Sequence, residues 1–164
     1  MSEMVREVAE LIVSASKAGY TIYAAGNGGS HAQAEHLVAE LMGKFQETRE
    51  PIAAFCLGSN SAVLTCIAND FGYDEVFSRQ VRTMAAGDVL FLLSTSGQSE
   101  NVVKAASMAH AFDVTTVAIA PAESNVGAQC EYVFDVHGST ASKQEQTLAI
   151  LHSICSAVED LFDE

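Results

Sequence analysis

The chain is poor in positive charge. Four lysines and four arginines stand against 21 acidic residues, a net charge of -13, which repels nucleic-acid phosphates and anionic lipid headgroups when no clustered basic patch is present. Nucleic acid and membrane surfaces are therefore excluded as expected partners. Cysteine is equally sparse. Cys56, Cys66, Cys130 and Cys155 are scattered without a Cys-x-x-Cys pair, so neither a zinc ribbon nor a disulfide framework is expected, and the four read as reduced, structural residues. No apolar run approaches the roughly eighteen residues that span a bilayer, and Met1 to Arg6 lacks the basic-then-apolar order of a signal peptide. A cytoplasmic location is the expectation. Proline occurs only at Pro51 and Pro121, and there is no repeat or low-complexity stretch, so residues 1–164 are expected to form a single domain.

Apolar residues make up 49% of the chain, enough to close a core at this length. Val5, Val8, Leu11, Ile12 and Ala15 recur at helical spacing before Gly19, after which Tyr20 to Ala25 is a β-prone run ending in glycine. The alternation continues along the sequence. Apolar runs at Ile52 to Cys56, Val89 to Leu93, Val114 to Ile119 and Tyr132 to Val136 read as strands. Helical segments are expected at about His31 to Phe45, Ala62 to Ala68, Glu75 to Met84, Glu100 to Phe112 and Lys143 to Leu161. Five such strands separated by helices predict an α/β fold: a doubly wound, mostly parallel sheet with helices on both faces. Strands buried on both faces are continuously apolar, as these are. Ligands of such sheets bind beyond the carboxyl ends of the strands.

Two loops at such positions stand out. Gly26-Asn27-Gly28-Gly29-Ser30 joins the first strand to the next helix; glycine lets the backbone approach a ligand, and the helix's first amides favour an anion. A tight strand-to-helix turn would also use glycine. A dinucleotide fingerprint fits poorly, because His31 occupies the place of its third glycine and no acidic residue ends the next strand. The second loop, Ser94-Thr95-Ser96-Gly97-Gln98-Ser99, places four hydroxyls in six residues ahead of a helix. Hydroxyls and helix amides together can hold a phosphate without lysine or arginine, whereas capping the helix alone needs only Ser99.

His36 and Glu40, four apart, share one helix face. Such a pair can act on one centre or be an ordinary hydrogen bond. Gln144 and His152 lie eight apart on the last helix, roughly 80° from each other around its axis, a spacing that assigns no role.

The Ser94 to Ser99 segment resembles the phosphate loop of sugar isomerase (SIS) domains. Gly26 to Ser30, together with Asn69-Asp70-Phe71-Gly72, resembles the phosphoheptose isomerase branch of that family, and the separated motifs follow the family's order over nearly the whole chain. The resemblance implies a flavodoxin-like or Rossmann-like SIS fold and an aldose-ketose isomerase. Its substrates would be sedoheptulose 7-phosphate and glycero-manno-heptose 7-phosphate, interconverted through an enediol. It also implies one zinc ion per subunit on His36, Glu40, Gln144 and His152, with Glu40 and His152 as the proton-transfer pair. Substrate contacts would come from Asn27, Gly28, Gly29, Ser30, Glu40, Asn69, Asp70, Ser94, Thr95, Ser96, Ser99 and Gln144. A homo-oligomer, tetramer or dimer, with the site near a subunit interface, is implied as well.

Two features depart from that pattern. The chain starts close to the helix before the first strand, without the leading helix that helps build the family's tetramers, and Ala141 stands where many members carry an aspartate. A non-catalytic branch binds the bacterial replication initiator and tends to lose the His and Glu pair, which is intact here; a sugar-phosphate sensor is a third reading that the loops alone do not separate.

Overall fold

A computed structural model describes residues 2–162. Five strands, β1 (Ile22–Gly26), β2 (Ala54–Cys56), β3 (Val89–Leu93), β4 (Thr115–Ile119) and β5 (Tyr132–Phe134), form one sheet in the order β2-β1-β3-β4-β5. Every pairing is parallel. Among the described residues six α-helices surround it: α1 (Glu3–Lys17), α2 (Gly29–Met42), α3 (Ser61–Phe71), α4 (Ser78–Val81), α5 (Glu100–Ala111) and α6 (Thr140–Phe162).

The sheet separates two apolar layers. Val89, Phe91 and Leu93 pack on one face with Ile12 of α1, Leu37 of α2 and Leu151 of α6, while Leu90 and Leu92 pack on the other with Val102 and Ala106 of α5. All five positions of β3 are buried, which is why its sequence is uninterrupted apolar residue instead of an alternation. Among the described residues no helix is long and apolar enough to cross a membrane.

Asp88 is a polar exception inside this frame. It is 4% exposed, and its carboxylate accepts the backbone amides of Thr21 and Ala85, each at 2.8 Å, fixing the entry of β3 beside that of β1. Asp88→Ala strands both amides, and an unfolding free energy lower by about 2–4 kcal/mol is expected. Urea denaturation checks it; a loss under about 0.5 kcal/mol, the range of an indifferent surface change, would contradict this role.

The expected elements are present with shifted ends. The helix expected over Glu75 to Met84 is broken into a 3-10 turn, Tyr73–Glu75, and the four-residue α4. Side chains compete there for backbone carbonyls: Gln80 Nε2 donates to the Val76 and Leu57 carbonyls, and Ser78 Oγ, whose shorter contact is to the Glu75 carboxylate, also reaches the Glu75 carbonyl. The helix expected to reach Phe45 stops at Met42, because the chain turns at Gly43 and the segment beyond is held from α6, as described below. Strand β2 is shorter than expected, and α6 starts earlier, at Thr140.

The strand order fixes where ligand chemistry is possible. From β1 the chain crosses to β2 on one side, and β3 lies on the other, so the loops after β1 and β3 flank the point where the winding reverses. Gly26 pairs with Leu93. The glycine loop and the hydroxyl loop therefore leave the sheet side by side.

Candidate active site

Asn27, Ser30, Ser94, Thr95, Ser96 and Ser99 line a cavity of about 140 Å³ between these two loops. That is well below the roughly 300–1,000 Å³ of a pocket enclosing a drug-sized ligand, and its size and hydroxyl lining suit the anionic end of a larger molecule. Ser99 occupies the N-cap position of α5, yet its side chain makes no capping bond, leaving the hydroxyl to the cavity. Ser94 and Ser96 are partly committed: Ser94 Oγ accepts the Gly97 amide at 3.0 Å and Ser96 Oγ accepts the Gln98 amide at 3.2 Å. Their hydroxyl hydrogens stay available to a ligand oxygen. Asn27 exchanges two amide hydrogen bonds with Asn101, both 2.9 Å, and accepts the Tyr73 hydroxyl at 2.9 Å. It braces the loop more than it offers free donors.

The loop's backbone shows why it is glycine. Gly28 has φ 56° and ψ -120°, a region costly for residues with a Cβ. At Gly29 a Cβ would lie 2.2 Å from Gln144 Nε2, so the side-chain amide of Gln144 rests on the start of α2. Asn69 and Asp70 stand exposed at the end of α3, joined by a 2.8 Å bond from Asn69 Nδ2 to Asp70 Oδ1.

Further along α2 a second centre forms. Glu40 Oε1 lies 2.8 Å from His36 Nε2 and 3.6 Å from His152 Nε2, and the two imidazole nitrogens are 3.1 Å apart. Glu40 is mostly buried, whereas both histidines keep exposed edges. Its other oxygen, Oε2, is buried without a hydrogen-bond partner. Burial, followed by the neighbouring Glu40 carboxylate, pushes the Cys155 thiol up, so the carboxylate has a neutral thiol beneath it.

The donor set fits a zinc ion. Two imidazoles and a carboxylate are established zinc ligands, their ligand atoms lie within 4.8 Å of one another, and the unpartnered Glu40 oxygen is what a cation would satisfy. Gln144 is not brought to this centre: its amide rests on Gly29, whereas His152 lies eight residues, roughly 12 Å, along α6.

Helices α2 and α6 run side by side in the same direction. Gln33 Nε2 donates to the Gln144 carbonyl at 2.7 Å at one end, and His36 meets His152 further on, three residues along α2 and eight along α6. At the far end, Glu159, 4% exposed, accepts the consecutive amides of Phe45, Gln46 and Glu47. This anchors the chain after α2, and the Phe45 ring stacks 5.2 Å from that of His152. Arg49 closes the turn by donating to the carbonyls of Glu40 and Leu41 at 2.7 and 2.8 Å.

A family model described as SIS domain matches residues 1–121. A phosphoheptose isomerase of Bordetella avium is 36% identical over 167 aligned residues, covering 98% of this chain and 85% of that protein. The chain belongs to the SIS domain family, in its phosphoheptose isomerase branch. The structure of a phosphoheptose isomerase from Neisseria gonorrhoeae superposes with a TM-score of 0.88 at 35% identity, covering 96% of this chain and 86% of that one. One from Francisella tularensis gives 0.89 at 26% identity, covering 96% and 85%.

Within this SIS domain, the structure brings His36, Glu40 and His152 together and sets the glycine and hydroxyl loops side by side. The sequence did not mark the residues that hold them. Phe45, Arg49 and Glu159 carry no motif: Phe45 and Glu159 meet across more than a hundred residues of sequence, and Arg49 acts through carbonyls eight and nine residues back that no spacing rule marks. Lys143 was also missed: its Nζ donates to the Thr95 carbonyl at 2.9 Å, so the hydroxyl loop does have a lysine beside it.

Proposed function

We propose that the chain interconverts sedoheptulose 7-phosphate and D-glycero-D-manno-heptose 7-phosphate through an enediol. The observation that carries this reading is the convergence of Glu40 and His152, remote in sequence, on one point beside His36. Its distance from the anion cavity supports a long substrate. A rise of 1.5 Å per residue puts His36 roughly 9 Å and Glu40 roughly 15 Å along α2 from Ser30. A phosphate seated between the loops and a carbonyl at Glu40 must be joined by several carbons, which a heptose phosphate has and a triose phosphate lacks.

In this reading the phosphate takes the hydroxyls of Ser30, Ser94, Thr95, Ser96 and Ser99 and the first amides of α5, where the helix dipole favours negative charge. Gln144, beside Gly29, and Asn69 and Asp70 serve the sugar hydroxyls. Glu40 removes the proton from C1 of the ketose and returns one to C2 of the enediol. His152 moves the proton between the two oxygens, for which an imidazole is suited near neutrality. His36 orients the carboxylate through its 2.8 Å contact. A zinc ion on His36, Glu40 and His152 would supply Lewis acidity at the carbonyl.

Assembly into a homo-oligomer and a cytoplasmic location go with this reading. A groove of about 690 Å³ lined by Val5, Phe45, Phe134, Ile150 and Ala157 runs past His152, and its apolar lining supports a subunit contact there.

Incubation with sedoheptulose 7-phosphate is expected to yield the aldose. Removal of metal by a chelator is expected to lower turnover at least tenfold, with zinc restoring it, and elemental analysis should find about one zinc per chain, lost in His36→Ala. Binding of the sugar phosphate with no product under any metal condition would replace the isomerase by an adaptor or a sensor.

A further inference from the structure

The hydroxyl loop binds its guest with neutral groups in a protein of net charge -13. A phosphate ester arriving there must overcome the field of the whole chain. Among the described residues one cation, Lys143, is recorded bonding this loop. Lys143, in the first turn of α6, donates from Nζ to the Thr95 carbonyl at 2.9 Å, and Thr95 lines the anion cavity.

The other cations near the fold's working parts are committed elsewhere. Lys104 pairs with Asp74 and Glu75, Arg49 holds the carbonyls of Glu40 and Leu41, and Arg79 covers the Phe71 ring. Lys143 has no carboxylate partner among the described residues, its recorded bond being to a neutral carbonyl. An ammonium on a flexible four-carbon stem can leave such a partner for a dianion a short reach away. Its neighbour Gln144 rests on Gly29 of the other loop, so consecutive residues of α6 lie over both ligand loops.

We propose that Lys143 is the electrostatic partner of the substrate's phosphate, exchanging the Thr95 carbonyl for a phosphate oxygen when ligand binds. This rests on the isomerase reading for the identity of the ligand, not for the presence of an anion site. Selection follows from the charge. The site favours doubly charged phosphate esters over neutral sugars by the amount the ammonium contributes, and the contribution falls with ionic strength.

Inorganic phosphate is the probe, titrated calorimetrically into the wild-type chain, Lys143→Gln and Lys143→Arg. Lys143→Gln is expected to raise the Kd about ten- to thirty-fold and to flatten its dependence on ionic strength, with the melting temperature unchanged. Lys143→Arg keeps the charge and is expected to stay within about threefold of wild type. With sedoheptulose 7-phosphate the loss falls on KM. A folded Lys143→Gln with wild-type Kd and salt dependence overturns the proposal. Should that variant fail to fold, Lys143→Met decides by the same titration: a wild-type Kd overturns it too. If Lys143→Gln loses phosphate affinity while the wild type never turns over the heptose phosphate, the isomerase reading fails and Lys143 stands. If turnover is present and the variant binds as wild type does, Lys143 alone fails.

Discussion

Glu40→Gln is expected to lower kcat/KM for sedoheptulose 7-phosphate by about 10²- to 10⁴-fold, the range of a lost general base. The substitution is nearly isosteric, and its amide oxygen can still accept from His36, which now sits 2.8 Å from Oε1. Geometry is preserved while basicity is lost. The anion cavity lies at the other end of the seam between α2 and α6, roughly 15 Å from Glu40 along the helix, so inorganic phosphate should bind the variant with wild-type affinity. Steady-state turnover and phosphate titration on the same preparation separate the two. A variant with near-normal turnover would remove Glu40 from the chemistry. One that loses turnover and phosphate binding together would show that Glu40 holds the fold and not the proton.

The second large effect is on stability. Glu159→Ala is expected to lower the unfolding free energy by about 3–5 kcal/mol, because a buried anion leaves and its donors lose their acceptor. Three consecutive amides, of Phe45, Gln46 and Glu47, point at this one carboxylate, and the turn they form carries the ring packed on His152. Activity should therefore fall along with stability.

The effect has a pH signature. Burial works to raise the Glu159 carboxyl, but the three amides and the Arg49 guanidinium outweigh it, and the net result holds the group below the ordinary glutamate range. A carboxyl lowered on folding contributes stability that is fully present above its unfolded value, about 4.3. That contribution is lost as pH falls through the folded value. The difference between wild type and Glu159→Ala in urea denaturation should be largest near neutrality and shrink below about pH 4. A difference that stays constant down to pH 3 would mean that the side chain acts by packing and not by charge. Glu159→Gln, which keeps one acceptor, is expected to fall between the two.

The parts legible in the sequence are those whose cause is local. Val89 to Leu93 announces a doubly buried strand because every residue is apolar, and the two loops announce themselves by residues that only an unusual backbone or an anion demands. His36 and Glu40 share a helix face by spacing alone, and the structure places their reactive atoms 2.8 Å apart. What stayed illegible depends on distance. His152 joins that pair because α6 lies beside α2 and runs the same way, which no spacing within α6 encodes. The same arrangement sends Gln144 to Gly29 and away from the cluster of His36, Glu40 and His152, where the family resemblance implied a fourth zinc ligand. Lys143 was hidden for a similar reason: 48 residues separate it from the carbonyl it holds, and nothing in Ser142-Lys143-Gln144 marks it as an anion contact. The expected helix over Glu75 to Met84 failed because its own side chains, Ser78 and Gln80, compete for the Glu75 and Val76 carbonyls it needed.

The central claim is that a carboxylate at Glu40 moves a carbon-bound proton of a phosphorylated ketose. Turnover of sedoheptulose 7-phosphate in deuterated water, followed by proton NMR of the aldose, tests it most directly. Deuterium at C2 of the product with the wild-type chain, and no product above background with Glu40→Gln, is the predicted result. Aldose formed with protium fully retained at C2, or formed equally well by Glu40→Gln, contradicts it.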